Sequence, residues 1–166
     1  MTIRPTEVGD VDAVLAIIDD GRKIMRGSGN FSQWPEGYPA RENILKDIEL
    51  LQSYVVEDGG RLVATFVLQL GQEPTYKVIY GGKWGFDEEY GTIHRIAKLK
   101  SAPSGIFEQC LSFCMKMIGY IRIDTHEDNV IMGKILSKNG FVQRGTIYLR
   151  DGSPRTAYDF RYVEKN

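Results

Sequence analysis

Apolar positions along the chain recur with two periods, and the switches between them outline the elements. Val11, Val14, Leu15 and Ile18 follow three–four spacing behind Asp10, a residue able to cap a helix. Ile44, Leu45, Ile48 and Leu51 repeat that spacing after Pro39-Ala40-Arg41-Glu42 and give a second helix its inner face. Thr2 to Pro5 alternates as a short first strand, and Gly27 to Pro39 between the helices is a loop holding Phe31, Trp34 and Tyr38. Ser53 to Glu57 and Arg61 to Leu70 predict a hairpin around Asp58-Gly59-Gly60. Tyr76 to Tyr80 predicts a further strand. Next come a strand over Tyr90 to Leu99, a helix from near Gly105, a strand over Tyr120 to Thr125 and a helix from about Asn129. Asn139-Gly140 stops that helix, with Gly able to take the left-handed position. Phe141 to Leu149 and Thr156 to Val163 close the chain as two strands around Asp151-Gly152.

This order predicts an α/β (α+β) architecture with one mixed sheet, antiparallel in its N-terminal half. The crossover between the Tyr90 and Tyr120 strands should be parallel and right-handed. In such sheets a ligand sits where neighbouring strands part, at their C-terminal ends. The Tyr90 strand feeds a Lys/Ser/Pro/Gly turn and then a helix start. Free N–H groups and the helix dipole converge there, which makes a natural anion site. The Tyr120 strand ends similarly, in His126-Glu127-Asp128-Asn129. No repeat, low-complexity tract or linker divides the chain, so residues 1–166 are expected to form a single domain.

Composition narrows the function classes. Apolar residues make up 42% and charged residues 26%, as in globular domains. Twenty-one Lys and Arg against 22 Asp and Glu give no electrostatic case for nucleic acid or a membrane as the main partner. No signal sequence and no apolar run of spanning length are evident, so a cytoplasmic location is expected. Cys110 and Cys114 share a helix face with Ile106, Phe113 and Met117 and read as buried, reduced thiols. The two histidines, with Asp124, Glu127 and Asp128, match no metal-ligand spacing, and no metal is expected.

Several polar and aromatic residues have two readings each. His94 falls, by simple alternation, on the face of Tyr90, Thr92, Ile96 and Lys98; it is either a general base or a histidine satisfied within the sheet. His126 either meets substrate or caps its turn. Asn129 is a helix N-cap, a job for which Asp128 competes. Trp34 and Tyr38, with Phe31, either roof an acceptor pocket or pin their loop to the sheet. Arg155 either closes on a cofactor or pairs with an acidic neighbour.

Five segments then acquire a common meaning: T-I-H-R-I-A at 92–97, I-R-I-D-T-H-E-D-N at 121–129, K-N-G-F at 138–141, D-G-S-P-R at 151–155 and Q-W-x-x-G-Y-P at 33–39. In this order they resemble the GNAT N-acetyltransferase superfamily over essentially the whole chain, the last resembling a bacterial branch of it. The resemblance implies the GNAT-like acyl-CoA N-acyltransferase fold, with a splayed parallel strand pair at the cofactor cleft. It implies acetyl-CoA as acetyl donor and the primary amine of a small molecule or peptide as acceptor, attacking directly. It implies that Ile96, Ala97 and Lys98 align the pantetheine arm, that Ser104, Gly105 and Ile106 take the pyrophosphate, and that Asn129 hydrogen-bonds the pantetheine. His94 becomes the candidate base, and Trp34, Tyr38 and His126 fall on the acceptor side. The position of the family's usual tyrosine acid holds Leu136, leaving Tyr148 or water to protonate the thiolate. Homodimerisation through the terminal strands is also compatible with the superfamily. One turn departs from the pattern. Where members carry Gln/Arg-x-x-Gly-x-Gly/Ala, this chain reads Ala102-Pro103-Ser104-Gly105-Ile106-Phe107, keeping only the middle glycine. The alternative function is therefore a repurposed domain of this fold that binds a ligand or partner without transferring acetyl.

Overall fold

The structure, a computed structural model, describes residues 1–164. Seven strands form one sheet: β1 Thr2–Pro5, β2 Ser53–Asp58, β3 Arg61–Leu70, β4 Gly91–Lys98, β5 Tyr120–Thr125, β6 Val142–Tyr148 and β7 Pro154–Arg161. Their spatial order is β1-β2-β3-β4-β5-β7-β6. Only β4 and β5 run parallel; every other neighbouring pair is antiparallel. Helices α1 Val11–Gly27 and α2 Arg41–Glu49 precede β2, α3 Ile106–Met115 crosses from β4 to β5, and α4 Val130–Lys138 leads into β6.

Alternation along the strands divides the core between the two faces of the sheet. On one face Val11, Val14, Ile17 and Ile18 of α1 and Ile44 of α2 bury themselves against Val55, Ala97, Leu99 and Trp34. On the other, Ile106, Phe107, Cys110, Leu111 and Cys114 of α3 and Leu136 of α4 pack on Phe66, Leu68, Ile93, Ile121 and Ile123. Helix α1 is pressed tightly onto the end of β4, because a Cβ on Gly21 would stand 2.9 Å from the Cβ of Ala97. Burial also makes Cys110 and Cys114 poor acids, raising the Cys114 thiol to about 12.

Three expectations from the pattern change. Helix α2 ends at Glu49, and Leu51 is 85% exposed with a φ of 55°. Its buried face carries Ile44, half-buried Ile48 and, between them, Asp47, while Leu45 is exposed. Asp47 is tolerated inside because Arg95 and Gln52 donate to it. The segment Tyr76 to Tyr80 is not a strand: Pro74–Tyr76 is a short helical turn and only Tyr80 bridges to the sheet, at Thr146. Glu73 dictates that turn by accepting the Thr75 N–H at 3.3 Å and the Thr75 hydroxyl at 3.0 Å. Finally, Met117 lies beyond the end of α3 and is exposed rather than on its buried face.

Candidate active site

The site originates in a fault in one strand. Strands β4 and β5 pair only at Gly91 with Ile121 and Thr92 with Arg122, and beyond Thr92 they part. On its other side β4 is bulged against β3. Val67 faces His94 and Thr65 faces Ala97, so that Phe66 alone stands opposite both Arg95 and Ile96. A bulge bends a strand and sharpens its twist, turning β4 away from its parallel neighbour. Arg95 absorbs the irregularity with a φ of 48°, a left-handed conformation that few non-glycine residues adopt. A fork of hydrogen bonds to Asp47, at 2.8 Å from Nε and 2.6 Å from Nη2, holds it there, and its Nη1 reaches the Tyr38 hydroxyl at 3.4 Å. The extra residue also reverses the faces. Simple alternation groups His94 with Ile96 and Lys98; instead His94 shares its face with Ala97, and Ile96 joins the core cluster of Ile93.

Between the splayed strands lies a two-part cleft. The first compartment, about 280 Å³, is lined by Ile96, Ala97 and Lys98, by the turn from Ser104 to Phe107, and by Asn129, Met132 and Ile135. All seven residues expected on the cofactor side border it. Gly105 caps α3 with a φ of 83°, and a Cβ there would touch nothing, so backbone conformation and not space demands glycine. The first main-chain bond of α3 runs from Gln109 N–H to Gly105 C=O at 3.1 Å, so the N–H groups of Ile106 and Phe107 precede the helical ladder. The Phe107 ring points into the core, edge-on to Phe141 at 5.9 Å, and does not block the turn. Apolar walls, a free strand end and open N–H groups fit a pantetheine arm ending in a diphosphate.

The second compartment, about 370 Å³, meets the first at Met25, Ile96, Asn129 and Met132. Trp34, Tyr38, Glu73, His94, Asp124, Arg150 and Arg155 line it. His94 Nε2 stands 3.5 Å from Glu73 Oε2. Donation from the His94 ring, opposed by burial and helped by the Thr75 N–H, draws the Glu73 carboxyl down to about 2. Asp124 behaves oppositely. Burial pushes its pKa up, against the 2.6 Å hydrogen bond it accepts from the Tyr76 hydroxyl and the pull of His94 and Arg155.

The remaining residues fall as follows. Trp34 is buried against Ala97 and Gly21 and also lines the second compartment, so the residue that pins the loop borders the cleft as well. Phe31 takes no part, being 64% exposed. Asn129 caps α4 by accepting the Met132 N–H at 3.1 Å and donates to Gln33 Oε1 at 3.0 Å. His126 Nδ1 accepts the Asp128 N–H at 3.0 Å, and the residue lines a separate depression with Lys134 and Gln143. Tyr148 borders neither compartment; its exposed ring meets Tyr80 edge-on at 5.3 Å. Glu73, Asp124, Tyr76 and Gln33 were not singled out by sequence reasoning as site residues. For Glu73 the signal was available in Glu-Pro-Thr, a capping arrangement in which the acid is held by its own turn.

A sheet splayed at its one parallel pair among the described residues and bulged beside the gap, with a left-handed glycine capping the helix that follows, defines an acyl-CoA N-acyltransferase fold. No family model and no curated protein matches the sequence. Among solved structures, an acetyltransferase of the GNAT family from Streptococcus agalactiae 2603 is 32% identical over 98% of this chain and 96% of that chain, with a TM-score of 0.89. At that level of similarity the chain belongs to the GNAT family of acetyltransferases. More distant structures share the fold: a GNAT-family acetyltransferase from Listeria monocytogenes 4b F2365 (19% identity, 97% and 94% of the two chains, TM-score 0.71) and a ribosomal-protein-alanine N-acetyltransferase from Brucella melitensis (15% identity, 98% and 100%, TM-score 0.63).

Proposed function

We propose that the protein transfers an acetyl group from acetyl-CoA to the primary amine of a small molecule or peptide terminus by direct attack. One observation carries the reading: the two compartments are continuous, with a free strand end and open helix start in one and the His94–Glu73 pair in the other. Acetyl-CoA, when bound, supplies an activated thioester whose thiolate leaves readily near neutral pH. Residues of the chain do the rest. Main-chain groups from Ile96 to Lys98 align the donor, and an N–H there polarises the acyl oxygen. Ser104, Gly105 and Ile106 present N–H groups to the diphosphate, Lys98 lends charge, and Asn129 secures the pantetheine wall. His94 takes a proton from the acceptor ammonium, with Glu73 orienting the ring as a carboxylate orients a histidine in a catalytic triad. Trp34 and Tyr38 roof the acceptor. With Tyr148 outside both compartments, the reading assigns thiolate protonation to solvent. Buried, reduced Cys110 and Cys114 suit a cytoplasmic setting.

Isothermal titration with acetyl-CoA and with CoA is the first test, and no heat at near-millimolar ligand removes the cofactor assignment. His94→Ala is expected to depress transfer more at low pH than at high pH, since an acceptor already deprotonated needs no base. An unchanged pH–rate profile takes His94 out of that role. A second reading, a repurposed ligand-binding domain, is favoured by Ala102, which leaves the diphosphate turn without a long polar side chain. Binding of CoA without turnover on a broad amine panel would select it.

A further inference from the structure

The acceptor compartment contains a cation that acetyl transfer does not use. Arg155, the second residue of β7, stands beside the turn of the β6–β7 hairpin and lines this compartment, with only 7% of its surface exposed. Burying a guanidinium is costly unless an anion answers it. Among the described residues no carboxylate lies within ion-pair distance of Arg155. Its Nη1 donates to the Ser153 hydroxyl at 3.3 Å and the Pro154 carbonyl at 2.9 Å, both neutral. Its Nε and Nη2 make no protein hydrogen bond among the described residues, yet neither is sealed inside protein, which leaves both donors free on a residue that lines the cleft. By contrast Arg95, which lines the same compartment from β4, is neutralised by Asp47. Arg150, from the tip of the same hairpin, adds a second positive charge to the lining. Asp124 also lines the compartment, within electrostatic reach of His94 and Arg155 but outside ion-pair distance of Arg155; the compartment thus sets the Glu73 carboxylate beside His94 and guanidinium donors at the hairpin.

Resting on the transfer reading above, we propose that the acceptor is zwitterionic, its amine seated at His94 and Glu73 and its oxyanion held by Arg155 with help from Arg150. The planar fork of a guanidinium matches a carboxylate, as in a free amino acid or short peptide, and it also accepts a phosphate. Glu73 repels that anionic end and so fixes which way round the acceptor enters.

Matched acceptors test this. Phenylalanine is compared with phenethylamine and β-alanine with ethylamine, and O-phosphoethanolamine forms the phosphate arm. Thiol release gives kcat/KM, and calorimetry on the protein preloaded with CoA gives Kd. Oxyanion-bearing members are expected to exceed their plain amines by about tenfold or more in specificity or affinity. That ratio should collapse in Arg155→Gln, fall in Arg150→Gln and return in part in Arg155→Lys. Carboxylate against phosphate preference identifies the source of the oxyanion. Plain amines equal to or better than their partners in the wild-type protein overturn the proposal, whether or not the Arg155 variants fold. So does a ratio that survives Arg155→Gln and Arg150→Gln together. If CoA binds and no amine turns over, the transfer reading fails, and the calorimetric arm still decides the oxyanion site.

Discussion

Glu73 and Asp124 border the same compartment, and their surroundings push their protonation in opposite directions. Glu73 sits beside the His94 ring and a backbone N–H, which favour its charged form; Asp124 is partly buried at the cleft wall, and that desolvation disfavours its charged form. Glu73 therefore holds its negative charge beside the candidate base. For Glu73 the folded-state pKa lies below the ordinary value, so its contribution to stability is fully present above pH 4.5 and is lost as pH falls towards about 2. Glu73→Gln keeps the shape and removes the charge. The variant should melt below the wild type at neutral pH, and the two melting curves should converge as the solution is acidified through that window. It should also lose about tenfold or more in kcat with little change in KM for acetyl-CoA, because the ring it orients loses its partner. Melting temperatures that stay parallel across the titration would mean that the pair does not form.

Among elements, β4 matters most, and its form depends on a helix that does not touch the donor compartment. The left-handed Arg95 persists because Asp47 of α2 grips its guanidinium with two short bonds. Asp47→Ala leaves a half-buried cation unpaired, with a loss of about 3 kcal/mol expected from a buried pair broken on one side. Chemical denaturation measures that loss directly. The mutation should also raise KM for acetyl-CoA, since relaxing the bulge lets β4 approach β5 and narrows the cleft; an unchanged KM would separate the bulge from donor binding. Little of this arrangement was legible in the sequence. Helices α1, α3 and α4 and the β2–β3 hairpin announce themselves through apolar spacing, caps and Asp-Gly-Gly, which are local signals. The residues expected on the cofactor side were chosen from motif order, and the structure brings all of them to one compartment. A bulge centred on an arginine has no local signature, because its cause is Asp47, 48 residues away. The same blindness assigned Leu51 to the inner face of α2 when the buried residue was an aspartate. It also hid Glu73, whose partner His94 lies on a strand, across an intervening segment that forms no strand of its own.

For the molecule as a whole, the question is what holds the loop of Trp34 and Tyr38 over two strands that have separated. The loop between α1 and α2 provides Trp34 and Tyr38; Arg22 and Arg95 hold Tyr38 at its carbonyl and hydroxyl, and one atom gathers the ties between the loop, β5 and α4. Gln33 Oε1 accepts from Asn30 Nδ2 at 3.1 Å and Asn129 Nδ2 at 3.0 Å, and more weakly from the Thr125 hydroxyl at 3.3 Å and the His126 N–H at 3.4 Å. The loop, the end of β5 and the start of α4 thus converge on one carbonyl oxygen, next to a residue that lines both compartments. Gln33→Leu fills similar volume but strips the acceptor, leaving buried donors on Asn30 and Asn129 without a partner. That should cost about 2 kcal/mol, most of it the desolvation of the stranded amides. Because Asn129 borders donor and acceptor compartments alike, KM should rise for both substrates, whereas a lesion confined to the roof would raise only the acceptor's. Hydrogen exchange supplies the independent check. Amides across residues 28–39 and at the first turn of α4 should lose protection together in Gln33→Leu. If the loop loosens while α4 stays protected, the two segments are not coupled through Gln33, and the loop is held over the cleft by the packing of Trp34 on Gly21 and Ala97 and by the hydrogen bonds of Arg22 and Arg95 to Tyr38.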